Sequence, residues 1–236
     1  MSIRIGQASL GETGAHGQQA GNQNGRELNF SSWYNGRWLG VLRFKNAQEA
    51  QRAAQACEDG VRNKNIGYDQ DGRNTAYLAA EAVDFDLSRI NKPVETDCSA
   101  FMTLCAVAAG VVELRSLFKK FGNSCTTYCM MHDWPKTGHF ELLSAGKYLC
   151  SDEYLCRGDI LVSSGHTVMA LADGKFAEGE REMIEKSKII IDGKEETVRR
   201  ILKDGSNYIN VRDLAAALGL EISNKGNIAV LTRKEK

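Results

Sequence analysis

Apolar residues run almost unbroken over positions 101–109. A stretch of that length, rich in Leu, Ala and Met, predicts a buried helix. Asp97 is a good N-cap, so the helix is expected to begin there with Cys98 in its first turn. The other periodic segments are shorter. Residues 40–44 predict a strand, Asn46 caps an Ala- and Gln-rich helix reaching about Cys57, and residues 74–83 have strong helix propensity. Residues 111–121 predict a second helix, stopped by Gly122. Residues 140–144 and 158–162 read as strands. Residues 159–174 read as two short strands joined by Ser163-Ser164-Gly165, with His166 opening the second. Residues 1–28 are rich in Gly, Gln and Asn and read either as a loop or as a segment that wraps the larger domain and lines its cleft. Phe30, Trp33, Tyr34 and Trp38 suit a core better than a sugar-stacking surface.

The pattern changes near residue 188. Residues 188–191 and 196–202 predict a hairpin about Asp192-Gly193. A turn at Asp204-Gly205 leads into residues 207–210, then a short amphipathic helix over 211–218 closed by Gly219. Residues 220–222 and 228–231 are expected to pair across 224–227. Strands, helix and strands in so short a length make a small α+β module, preceded by a charged linker or linking helix at 180–187. The chain is therefore expected to be α+β, with a larger domain over 1–180 and a smaller one over 188–236.

Composition narrows the function. The 236 residues are 42% hydrophobic with formal net charge zero, which allows a core and disfavours a strongly basic nucleic-acid protein or bulk electrostatic binding to an anionic wall. No basic-plus-apolar leader opens the chain and no apolar run reaches membrane-spanning length, so accumulation in the cytoplasm, without membrane insertion, is expected. The seven cysteines cannot all pair within one chain, and a reducing compartment would keep them as thiols. Cys105, on the helix of Cys98, reads as a small core residue. Cys125, Cys129 and His132 share helical spacing and with Cys150 or Cys156 could hold zinc, but the spacing is not CxxC, so metal is disfavoured and no cofactor is expected.

Candidate chemistry centres on Cys98. A helix N-terminus presents free N–H groups and partial positive charge, which favour a thiolate. His166 at a strand start is a candidate base, giving a papain-type arrangement. Taken singly, each residue is more often part of a core; it is their order and setting that point to chemistry.

Asp97-Cys98-Ser99-Ala100, then Gly158-Asp159-Ile160-Leu161, then Gly165-His166-Thr167-Val168, resembles the NlpC-type cell-wall peptidases and the related CHAP amidases. The resemblance implies a papain-like domain, with a Cys-bearing helix packed on an antiparallel sheet, that cuts amide bonds in peptidoglycan. It also implies a polar third residue on the strand after the histidine, which residues 174–178 match with Glu178. Ile66-Gly67-Tyr68-Asp69-Gln70 resembles the family's tyrosine segment, and places Tyr68, with Ser99, at the oxyanion and substrate. The Gly/Gln-rich start resembles phage-encoded members, implying an endolysin held in the host cytoplasm until a separate pore releases it. Residues 208–219 resemble the stalk-type domain named after the N-terminal domain of copper amine oxidases. That likeness implies wall targeting or homo-oligomerisation and no copper. The implied partner is bacterial peptidoglycan. The rival readings are a catalytically inactive wall-binding protein and a cytoplasmic thiol acyltransferase on the same fold.

Overall fold

The computed structural model describes residues 2–180, 184–203, 206–225 and 228–233. It divides into two compact units, 1–180 and 181–236. The larger unit is built in chain order from β1 (Arg4–Ala8), β2 (Leu28–Ser32), β3 (Gly40–Phe44), α1 (Ala47–Arg62), β4 (Ile66–Tyr68), α2 (Thr75–Glu81), β5 (Val94–Thr96), α3 (Cys98–Ala108), α4 (Val112–Phe121), α5 (Thr127–Asp133), β6 (Phe140–Leu143), α6 (Gly146–Leu149), β7 (Ile160–Val162) and β8 (Thr167–Ala170). Six strands form one sheet in the order β2-β1-β8-β7-β3-β6, with every neighbouring pair antiparallel. β4 and β5 form a separate parallel pair. The architecture is α+β, as the element pattern predicts.

Alternation sorts the strand residues onto two faces. Leu42, Phe44, Ile160, Val162 and Met169 join Ala53, Ala54 and Cys57 of α1 and Phe101, Met102 and Leu104 of α3 in the main core. α1 meets α3 through small residues, and Gly60 is needed there because a Cβ would stand 2.5 Å from the Phe101 ring. α1 runs to Arg62, past the expected end at Cys57, and buries Gly60 and Val61 in the added length. On the opposite face Ile5, Trp38, Val41, Leu161, Val168 and Ala170 pack with Tyr148 and Leu155.

Two expectations change. β1 lies inside the Gly/Gln-rich stretch read as a loop or a wrapping segment, one strand in from the edge of the sheet. Its pattern is disguised by Gly6, where a Cβ would meet Cys57 Sγ at 2.6 Å, and by Gln7, which is buried yet polar. The strand expected over 174–178 is instead a turn leading into a 3-10 helix, Ala177–Glu180. Gly174 N and Phe176 N donate to the carbonyls of Leu155 and Glu153. β8 already has β7 on one side and β1 on the other, so no edge was left for a following strand.

The smaller unit carries β9 (Ile184–Ile191), β10 (Lys194–Lys203), β11 (Ser206–Ile209), α7 (Val211–Ala217), β12 (Leu220–Lys225) and β13 (Ile228–Arg233). β9 and β10 turn at Asp192 and Gly193, both at positive φ. β9 begins at Ile184, inside the segment expected to be a linker; residues 181–183 of that segment lie outside the described residues. α7 is capped by Asn210, and Arg199 donates from N, Nε and Nη2 to the Asp213 carboxylate, tying β10 to the helix.

Candidate active site

β5 delivers the chain to Asp97, whose extended backbone and side chain start α3: its Oδ1 accepts from Ala100 N at 2.7 Å. Cys98 is the first residue of the helix and is 5% exposed. Its Sγ–H donates to Gly165 O at 3.7 Å. The sulfur therefore stands against the peptide group that precedes His166. This contact lies at the end of the sheet, beyond the last β1–β8 pair, Gly6↔Met169.

The expected low thiol pKa is not found. Burial, and next the Asp97 carboxylate, push it up to about 11, outweighing the amides of Thr167 and Ser99 and the charge of Arg73. The resting sulfur is a thiol, and forming the thiolate requires a base.

His166 is partly buried, with burial pulling its pKa down, so the ring is neutral near pH 7. Its Nε2 lies 3.1 Å from Gln7 Oε1. The amide orientation follows from its other bonds. Gln7 Nε2 donates to Asn29 Oδ1 at 3.1 Å and Oε1 accepts from Tyr34 OH at 3.1 Å. Nε2 of the imidazole must then carry the proton, leaving Nδ1 as the basic nitrogen. The ring stacks on Trp38, 6.5 Å between centroids.

Tyr68 is buried on β4, its hydroxyl accepting from Gln70 Nε2 at 3.1 Å. Burial raises its pKa, and the nearby Cys98 and Asp97 raise it further. Tyr34, 38% exposed, is raised likewise by burial and then Cys98. Both phenols thus lie within electrostatic reach of the sulfur. The Ser99 hydroxyl is turned away from it, donating to Asp97 Oδ1 at 3.0 Å and accepting from Arg73 Nη2 at 2.9 Å. Glu178 is exposed on the 3-10 turn, and among the described residues its carboxylate is not a partner of His166.

Gln7, Tyr34 and Arg73 were missed from sequence. For Gln7 the missing signal is its strand; for Arg73, in a polar Asp-Gly-Arg-Asn run, no local signal exists. Residues 9–27 pack across β4 and β5: Gly21 N donates to Glu95 Oε1 at 2.6 Å, Gln18 N to Asp69 Oδ2 at 3.1 Å, and Tyr68 N to Glu27 Oε2 at 2.9 Å. The zinc alternative is overturned, because Cys125 and Cys129 are joined in a disulfide. These two are also not the thiols expected. Among the described residues no three His, Cys, Asp or Glu side chains form a metal-binding group, and no helix is long and apolar enough to cross a membrane.

Fold and site together define an α+β protein with a helix-borne thiol set against a histidine-bearing hairpin. Residues 5–177 match the family model of the endolysin-like domain, and the chain belongs to that family, which points to a phage-type cell-wall hydrolase. The match bears out the phage-type part of the resemblance and extends neither to the NlpC or CHAP likeness nor to the C-terminal module. No curated protein and no solved structure matches the chain.

Proposed function

We propose that this chain is a peptidoglycan hydrolase that cuts an amide bond with Cys98 as nucleophile, on a domain related to the NlpC and CHAP enzymes. The observation that carries the reading is the Cys98 sulfur at the start of α3, held against Gly165 O next to a neutral, Nε2-protonated His166. In the proposed step the thiol proton passes to His166 Nδ1 and the sulfur attacks the amide carbonyl. The start of α3 and the Tyr68 hydroxyl face the developing oxyanion. The imidazolium returns its proton to the leaving amine, and water hydrolyses the thioester. Gln7 takes the orienting role expected of Glu178, because it is the group that holds the histidine tautomer.

Purified walls treated with the protein should gain free amino groups without new reducing sugar ends. Cys98→Ser should fold normally, by circular dichroism, and lose nearly all lysis, because a serine hydroxyl is far less acidic than a thiol. A folded Cys98→Ser protein that clears walls at the wild-type rate would end the nucleophile assignment, and a rise in reducing ends would end the amidase reading.

One observation favours a second reading, a wall-binding domain without catalysis: Cys98 is almost fully buried and its pKa stands at about 11. Wall binding by wild type with no release of amino groups would decide for it. Residues 181–236 are proposed to serve wall targeting or self-association, read by co-sedimentation with walls and by sedimentation velocity of the full chain.

A further inference from the structure

Arg73 is 12% exposed in its side chain and its guanidinium is fully engaged. Nε donates to Asp97 Oδ2 at 2.6 Å and Nη2 to Asp97 Oδ1 at 3.2 Å and to Ser99 Oγ at 2.9 Å. Nη1 reaches Asn123 Oδ1 at 2.5 Å and Ser124 O at 2.9 Å, and Nη2 also donates to Cys125 O at 3.1 Å. One side chain thus clamps the residues on both sides of Cys98 to the loop that opens the Cys125–Cys129 bridge.

The reason for a cation here is chemical. Asn or Ser would cap α3 as well as Asp97 does. The carboxylate adds a negative charge beside the sulfur, opposing the helix N-terminus that favours a thiolate. The planar, bidentate guanidinium balances that charge while leaving the capping oxygen bonded to Ala100 N.

We propose that Arg73 is the positioning residue of this site, setting the acidity of the Cys98 thiol through Asp97 rather than by touching substrate. The inference rests on Cys98 being the reactive thiol, but its test needs no wall substrate. The full-length protein is alkylated with iodoacetamide across pH 7–10, and modification of Cys98 is followed by peptide mass spectrometry, which separates it from the four other free cysteines. Arg73→Met should slow alkylation of Cys98 about tenfold at a given pH, the effect of raising a thiol pKa by about one unit. Asp97→Asn should speed it. The double variant should return close to wild type, because the charge that Arg73 balances has gone. A clamp with only a structural role would leave the double variant as perturbed as Arg73→Met.

An unchanged pH profile for Arg73→Met, or a double variant as slow as the single one, overturns the proposal. Should Arg73→Met fail to fold, Arg73→Lys keeps the charge and should keep the wild-type profile. Asp97→Asn should still react faster than wild type, and its failure to do so would be equally fatal. Absence of wall cleavage by wild type would remove the hydrolase reading and leave this result standing.

Discussion

Asp159, in the Gly158-Asp159-Ile160-Leu161 motif, forms a buried ion pair with Arg43 on the sheet face away from α1 and α3. Arg43 Nε donates to Asp159 Oδ1 at 2.9 Å and Nη2 to Oδ2 at 2.6 Å, with side chains 7% and 2% exposed. Arg43 Nη2 also bonds Tyr154 O at 2.9 Å, Cys156 N donates to Asp159 Oδ2 at 2.8 Å, and the guanidinium lies 5.3 Å from the Tyr148 ring centre. Burial works against the arginine charge, yet Asp159 holds its pKa above the usual value. Removing one partner of such a pair strands a charge in the interior, at a cost of about 3–5 kcal/mol, whereas replacing both by packed apolar groups is often nearly neutral. Asp159→Leu and Arg43→Met are each expected to destabilise by that amount, and the double variant by clearly less than the two together. All three tryptophans, Trp33, Trp38 and Trp134, lie in the larger unit, so their fluorescence in urea reports that unit alone. With m of about 2 kcal/mol per molar, each single change should move the midpoint down by roughly 1.5–2.5 M. Single variants within about 1 kcal/mol of wild type, or costs that simply add, would show that the pair is solvated or that each charge has other adequate partners.

Three further outcomes follow from the geometry. Gln7→Ala should cut wall lysis at least about tenfold, a part of the ~10²–10⁴ that a positioned base supplies, whereas Glu178→Ala should leave it near wild type; the reverse order would return the orienting role to Glu178. His139 holds Glu49 and Glu113 at 2.9 Å from its two ring nitrogens; burial lowers its pKa, but the two carboxylates raise it further, so the net shift is upward. Its contribution is therefore present below the ordinary histidine pKa and lost as pH rises through the raised one, and the melting-temperature gap between wild type and His139→Gln should be larger at pH 6 than at pH 9. Glu95 is 4% exposed, with Oε2 unpartnered, and burial, reinforced by Glu27, Asp69 and Glu12, pushes its pKa up to about 8. Its folded form binds the proton more tightly than the unfolded chain, so stability falls as pH rises from about 4.5 to 8; Glu95→Gln should be more stable than wild type at pH 8 and no different near pH 4, as read by thermal melts.

How much of this was visible in the sequence depended on whether the cause was local. α3 was legible because its apolar run and its cap both lie within a dozen residues. Gly40–Phe44 and the end of α4 at Gly122, which adopts φ of 64°, were legible for the same reason. β1 was not, because Gly6 is explained by a sulfur on α1 and Gln7 by Asn29, Tyr34 and His166, all distant in sequence. Glu178 failed to reach the histidine because an N-terminal strand had taken the edge of β8 that the family pattern leaves for a later one. Cys98 was placed at its helix start by sequence, but the high pKa of its thiol depends on how deeply the loops bury it.

The pairing of Ile5 with Ala170 has a consequence for synthesis. The strand made first is completed by the strand made last in this unit, so the sheet cannot close while the chain is still short, and closing so large a loop carries a high entropic cost. A nascent chain holding Cys98 but not yet residues 160–170 has neither the histidine hairpin nor the Gln7 contact. Cys98 meets Gly165 only once the unit is whole, so a stalled or truncated product lacks the proposed site.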